Sequence, residues 1–277
     1  MKVGDVVYLM WRSGGDPAGR WGTVGRLERI PAGYRFVYTE GARKLEGFRP
    51  FPGLDDLGAV YESEELFPLF ANRLLAPSRP EYRSYLEWNG LDPDAPPDPL
   101  ALLGTTGGLR ATDRLAVAPC PLPDGEGCSL TKFFLHGIRR LPAPTVGRIN
   151  RLRPGDRLGL LPDINNPVDP DAVAVRTTDE AENYLIGCVP RYLACDVRKL
   201  CLSCGPDAIR LAVERVNPGA PLQFRLLCRL TACRPGASAT CTDGSCRNRN
   251  AVRVRDGREP VGRANACRLP ACRKDAS

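Results

Sequence analysis

The sequence predicts an α+β protein: a small sheet-plus-helices module, then a small barrel-like β module, then a basic tail without regular structure. Three observations carry this. Residues 20–90 pass from strand alternation to helical periodicity. Residues 131–233 hold six short apolar runs separated by turn signals, with one helical stretch among them. The 27 Pro and 28 Gly in 277 residues make the chain loop-rich and exclude a helical bundle. That length suggests about two domains.

In chain order, GTVGRLERI and GYRFVYTE alternate apolar and polar residues around Ala32-Gly33, a hairpin signal. Val24, Leu27, Tyr34, Phe36 and Tyr38 supply the buried face. ESEELFPLFANRLL then predicts a helix capped by Ser63. Leu66, Phe67, Phe70 and Leu74 share one face of it, and Pro68 is tolerated in the first turn. A second short helix falls in RPEYRSYLEWNGL and closes near Gly90. LDPDAPPDP is a turn-rich connector.

The order V-G-x-L, YxFxY, S-x-x-LFxxFANRLL and ALLGTTGGLRATDRLAVAP resembles the N-terminal subdomain of HipA-type kinases. It covers about residues 20–120, so the first module is set at 1–120. The resemblance brings no kinase, because that family's ATP-binding core lies in a larger domain that no segment here resembles. There is also no G-x-x-x-x-G-K-[ST] loop for a nucleoside triphosphate.

Residues 121–130 read as a Pro/Gly linker. In residues 131–233, TKFFLHGI, DRLGLLPD, AVAVRT, YLIGCVP, AIRLAVERV and LQFRLLCRL are the six strands. PRYLACDVRKLCLSC is the helix, with Pro190 at its first position. Six strands in about 100 residues suggest a closed or nearly closed barrel. FFLHGIRR, RPGDRLGL, NPVDPDAVAV and IGCVPRYLA follow one another as the blocks of a HIRAN domain do, and this module resembles that family, in the form found in bacteria.

The resemblance implies DNA binding, with single-stranded DNA or DNA 3′ ends as the ligand. It places Asp169 as acceptor of the terminal hydroxyl, and Arg139 and Arg191 as basic contacts. The stacking aromatics of DNA-binding relatives fall at Arg140 and Val168, and a histidine of a helicase-fused relative falls at Cys188. None of these three is aromatic here, although a guanidinium can stack on a base. Asp169 before Pro170 is equally an Asx-turn residue, and the two roles are compatible. Arg139, Arg140, Arg148, Arg151, Arg153 and Arg157 cluster in sequence and read as a DNA-binding or simply solvated basic face.

Charge agrees with this division. Residues 1–130 carry 14 basic and 18 acidic side chains, 131–233 carry 15 and 10, and 234–277 carry 10 and 4. Nucleic-acid contacts are therefore expected in the middle and the tail. The single histidine, His136, excludes a multi-histidine metal site and reads as structural. No apolar run approaches the ~20 residues of a membrane span. MKVGDVVYLMWRSGGD does not read as a secretory signal, so a cytoplasmic, reducing compartment is expected.

In such a compartment the twelve cysteines should be buried thiols and not disulfides. Cys201 and Cys204 fall on the apolar stripe of the predicted helix. Cys228/Cys233, Cys241/Cys246 and Cys267/Cys272 form C-x4-C pairs. Cys241, Cys246, Cys267 and Cys272 offer four thiolates for zinc, though C-x4-C is not the usual knuckle spacing, and no cofactor is expected. The tail 234–277 lacks apolar mass and is expected to be disordered.

The function expected from sequence is non-catalytic DNA binding. The alternative is a protein-interaction module docking on a separate HipA-type kinase core, in the manner of toxin–antitoxin regulation. Helicase or hydrolase activity would belong to a partner protein.

Overall fold

The computed structural model describes residues 5–14, 19–121, 123–124, 127–179, 183–203 and 208–233. Its elements run β1 (Val6–Arg12), β2 (Trp21–Ile30), β3 (Gly33–Tyr38), α1 (Glu40–Lys44), β4 (Val60–Ser63), α2 (Pro68–Ala71), α3 (Tyr82–Trp88), α4 (Pro99–Thr106) and β5 (Leu115–Pro119). They continue with β6 (Cys128–Phe134), α5 (Ala143–Asn150), β7 (Arg157–Pro162), β8 (Val173–Thr177), β9 (Leu185–Cys188), α6 (Arg191–Ser203), β10 (Ile209–Val216) and β11 (Leu226–Cys233). The chain is α+β, with two sheets in two compact units. Of the described residues, the first unit takes those up to Leu75 and Asp98–Cys120, and the second takes Ala76–Pro97 and those from Pro121 to Cys233.

The first unit is an antiparallel sheet in the order β4-β3-β2-β1-β5. The β2–β3 hairpin turns at Pro31-Ala32 and pairs Leu27 with Phe36 and Gly25 with Tyr38. That register puts Val24, Leu27, Phe36 and Tyr38 into one core with Leu9, Phe70, Leu100 and Leu103. α4 begins at Pro99, whose lost N–H has no helical partner to miss. Asp98 caps it by accepting from the Leu100 N–H at 2.9 Å.

The helix expected from Ser63 is corrected here. Ser63 ends β4, opposite Tyr34, and caps nothing. The helix is only Pro68–Ala71, with Pro68 in its first turn. A proline fits that position and no deeper one, so Pro68 moves the helix start past Ser63.

The second unit is a six-stranded antiparallel sheet in the order β6-β11-β10-β7-β8-β9. It curls into a half-barrel whose edges meet at one bridge, His136 opposite Cys188. The bridge is two-way: the His136 N–H donates to the Cys188 carbonyl at 3.0 Å and the Cys188 N–H to that of His136 at 2.9 Å. α6 follows Pro190 and buries Tyr192, Leu193, Ala194, Val197 and Leu200. Cys201 is half-buried on this helix, and Cys204 lies outside the described residues. α5 has no counterpart in the sequence-based reading.

α3 belongs to this unit through an aromatic cluster around Phe224. Trp88 stacks on Phe224 at 5.8 Å, and Tyr85 and Phe134 meet its ring edge-on at 5.8 and 5.1 Å. Buried Asn217 ties the segment down, its Nδ2 donating to the carbonyls of Trp88 (3.0 Å) and Phe224 (2.8 Å).

The expectation of thiols throughout is also corrected. Cys128 and Cys233 form a disulfide and stand directly opposite in the β6–β11 ladder. Cys233 therefore does not pair with Cys228, which is a buried free thiol. The partners are 105 residues apart, so proximity comes from the ladder and not from spacing. Replacing both by serine is expected to lower stability by about 2–4 kcal/mol, read from urea melts of oxidised protein. An unchanged midpoint would show that the ladder alone holds the strand ends.

Candidate nucleic-acid interface

Two loops and a strand end bring the predicted residues together beside the seam. The first loop follows β6. Gly137 adopts φ +85° and turns the chain into a 3-10 turn over Ile138–Arg140. Ile138 is buried and anchors the turn, which leaves Arg139 and Arg140 exposed.

The second loop joins β7 to β8, and Asn166 organises it. Its Oδ1 accepts from the Val168 N–H (3.0 Å) and the Asp169 N–H (2.9 Å), while its Nδ2 donates to Asp163 Oδ2 (2.9 Å). Asp169 Oδ1 accepts from the Asp171 N–H at 3.1 Å, the Asx turn read from sequence. Its Oδ2 accepts from Arg191 Nε at 3.0 Å. Arg191, at the start of α6, also reaches the Val168 carbonyl at 3.5 Å. The carboxylate is thus held on both oxygens, with lone pairs remaining for a further donor.

Cys188 ends β9 at the seam. Desolvation by the surrounding atoms pushes its thiol up, Asp163 and Asp169 push it further, and Arg140 pulls it down. Those three charges therefore lie around one thiol. Arg140, Val168, Asp169, Cys188 and Arg191 share one neighbourhood, with Arg139 on the adjoining turn. Val168 is 45% exposed and offers an aliphatic surface.

Two of the organising residues, Asp163 and Asn166, escaped the sequence reading. The Asn-Pro dipeptide is the signal that could have found Asn166. Arg148 leaves the expected basic face: it is 9% exposed on the inner side of α5, and its Nη2 lies 3.4 Å from Asp179. Arg153 and Arg157 are exposed. The four tail cysteines lie outside the described residues, and among those described no His/Cys/Asp/Glu group could hold a metal. No helix among them is long and apolar enough to cross a membrane.

His136 lies edge-on to Tyr192, ring centroids 6.3 Å apart. Burial lowers its pKa from 6.5 to about 4. Between those values the unfolded chain binds the proton and the folded chain does not. Stability is therefore full above about pH 6.5 and falls as pH drops toward 4. Urea midpoints from pH 7 to 4 should show this decline, and His136→Gln should flatten it.

Residues 129–230 match the HIRAN domain family. A solved protein from Lactobacillus plantarum is similar at 20% identity and TM-score 0.29, over 38% of this chain and 97% of that one. The HIRAN domain of human HLTF is similar at 18% identity and TM-score 0.27, over 38% of this chain and 74% of that one. No curated protein matches the chain. The chain carries a HIRAN domain at residues 129–230.

Proposed function

We propose that this is a non-catalytic nucleic-acid-binding protein whose HIRAN domain takes single-stranded DNA by its 3′ end. The observation that carries the reading is a carboxylate fixed beside cations. Asp169 is held by Arg191 and the Asp171 N–H, and with exposed Arg140 it surrounds the Cys188 thiol.

A terminal hydroxyl donates to a carboxylate, whereas a terminal phosphate is repelled by it. Asp163, hydrogen-bonded to Asn166 in the same loop, adds to that repulsion. The arginines neutralise phosphates further along the strand. With Val168 in place of a ring, stacking contributes little, and charge supplies most of the affinity.

Fluorescence anisotropy with short single strands tests this. A 3′-hydroxyl strand should bind about tenfold tighter than its 3′-phosphate twin, and both should weaken with salt. Equal binding of the two strands would remove end recognition from the reading.

A further inference from the structure

We propose that the outer face of the half-barrel is a second nucleic-acid contact, one that grips the phosphate backbones of a double helix. The partner class rests on the nucleic-acid reading above; the surface is a different one. Lys132 stands opposite Arg229, Arg229 opposite Ala212, and Ala212 opposite Arg157. Directly opposed residues point to the same side of a sheet. This row crosses β6, β11, β10 and β7, about 14 Å at ~4.8 Å per strand. Two residues along, Leu130 stands opposite Thr231 and Thr231 opposite Arg210. On the adjoining strands Gly159 stands opposite Arg176.

The alternate positions, Phe133, Leu158, Leu211, Cys228 and Leu230, are buried, so the rows point away from the core, with the small Ala212 in the first row itself only 2% exposed. Arg157 and Arg210 are exposed, and neither forms an ion pair among the described residues. Lys132 and Arg229 share one carboxylate, Glu214, at 2.6 and 3.5 Å. Among the described residues of these rows, five cations thus face one acid.

The chemistry favours a duplex over a single strand. These rows hold no aromatic side chain, so unpaired bases have no platform to stack on. The cations spread in two directions, as phosphates do on both backbones of a helix carrying a charge per ~1.7 Å. Phosphate contacts of this kind position a duplex without reading its sequence. The same face continues to the seam, where Leu161, Ala174 and Cys188 form one row across β7, β8 and β9. A strand whose end lies by Asp169 can therefore be continuous with a duplex on this face.

The test uses the full chain and two probes: a blunt duplex with 3′-phosphates, and a single-stranded hexanucleotide with a 3′-hydroxyl. Arg157→Glu/Arg210→Glu should weaken duplex binding at least tenfold. It should lower the salt slope by about 1.8, for two lost phosphate contacts. The hexanucleotide should keep its preference for a 3′-hydroxyl over a 3′-phosphate end, because that preference is set at Asp169 and not on this face. The milder Arg157→Gln/Arg210→Gln variant, with an unchanged melting curve, should show the same loss in part. Wild-type duplex affinity and slope in both variants would overturn the proposal, as would a wild-type protein that binds no duplex. If the wild-type protein ignores the hexanucleotide while the duplex losses appear, the end-binding reading fails and this one stands.

Discussion

Gly187→Val is expected to destabilise the second unit by more than about 3 kcal/mol and to open the seam of the half-barrel. Gly187 sits at φ +150°, a region that side-chain-bearing residues rarely adopt. A Cβ there would lie 2.5 Å from the His136 carbonyl oxygen and 2.8 Å from the Leu135 side chain. The nearest atom is backbone, and it makes the bridge that joins the two sheet edges. Relief of the clash therefore requires the bridge to break. Urea melts should show the loss, and hydrogen exchange should show lost protection at the His136 and Cys188 amides. A wild-type melting curve for the variant would mean that the seam yields without cost.

Asp169→Ala should erase the preference for a 3′-hydroxyl over a 3′-phosphate strand, a change of about tenfold or more. A hydrogen bond to a charged group is worth roughly 1.5–3 kcal/mol, and each ~1.4 kcal/mol is a factor of ten. The variant also loses stability, because Arg191, 31% exposed at its side chain, then lacks the carboxylate it faces at 3.0 Å. Arg191→Ala separates the two effects. It keeps the acceptor and should keep the end preference, while lowering affinity for both strands. Anisotropy on the two variants checks this. A preserved preference in Asp169→Ala would move the acceptor to another residue, with Asp163 first in line.

Much of the second unit was legible because its short apolar runs are separated by turn signals. In β11 buried and half-exposed positions also take turns from Cys228 to Cys233, whereas β6 buries Ser129 and Thr131 and exposes Leu130, so there the turns mark the strand and alternation does not. β1 is different: Val6, Val7, Tyr8, Leu9 and Met10 are all buried, so no alternation marks it. α5 spans eight residues beside Pro142 and Pro144, too short and too proline-marked to show a helical period. Helix α2 was misplaced because Ser63 looks like a cap in isolation, while its backbone is already engaged opposite Tyr34.

The site divides the same way. Arg139, Arg140, Val168, Asp169, Cys188 and Arg191 were named by the resemblance to the HIRAN family, since each falls in one of the short blocks that carry it. The part played by Asn166 depends on a loop closing so that one side chain meets two amides and a carboxylate. Arg148 looked like its exposed neighbours until helix α5 turned it inward toward Asp179.

By itself, then, the sequence determined the strands of the second unit, the match of its blocks to the HIRAN pattern and the separation of charge, while the residues around Asp169 came as what that resemblance implies. The strands are carried by neighbours within a few positions, where periodicity and turn chemistry act. Tertiary structure alone decided the seam at Gly187, the disulfide between residues 105 apart, the docking of α3 on Phe224 and the rows of cations on the outer face. Those depend on register and curvature, which bring distant residues into contact only when the whole sheet has closed.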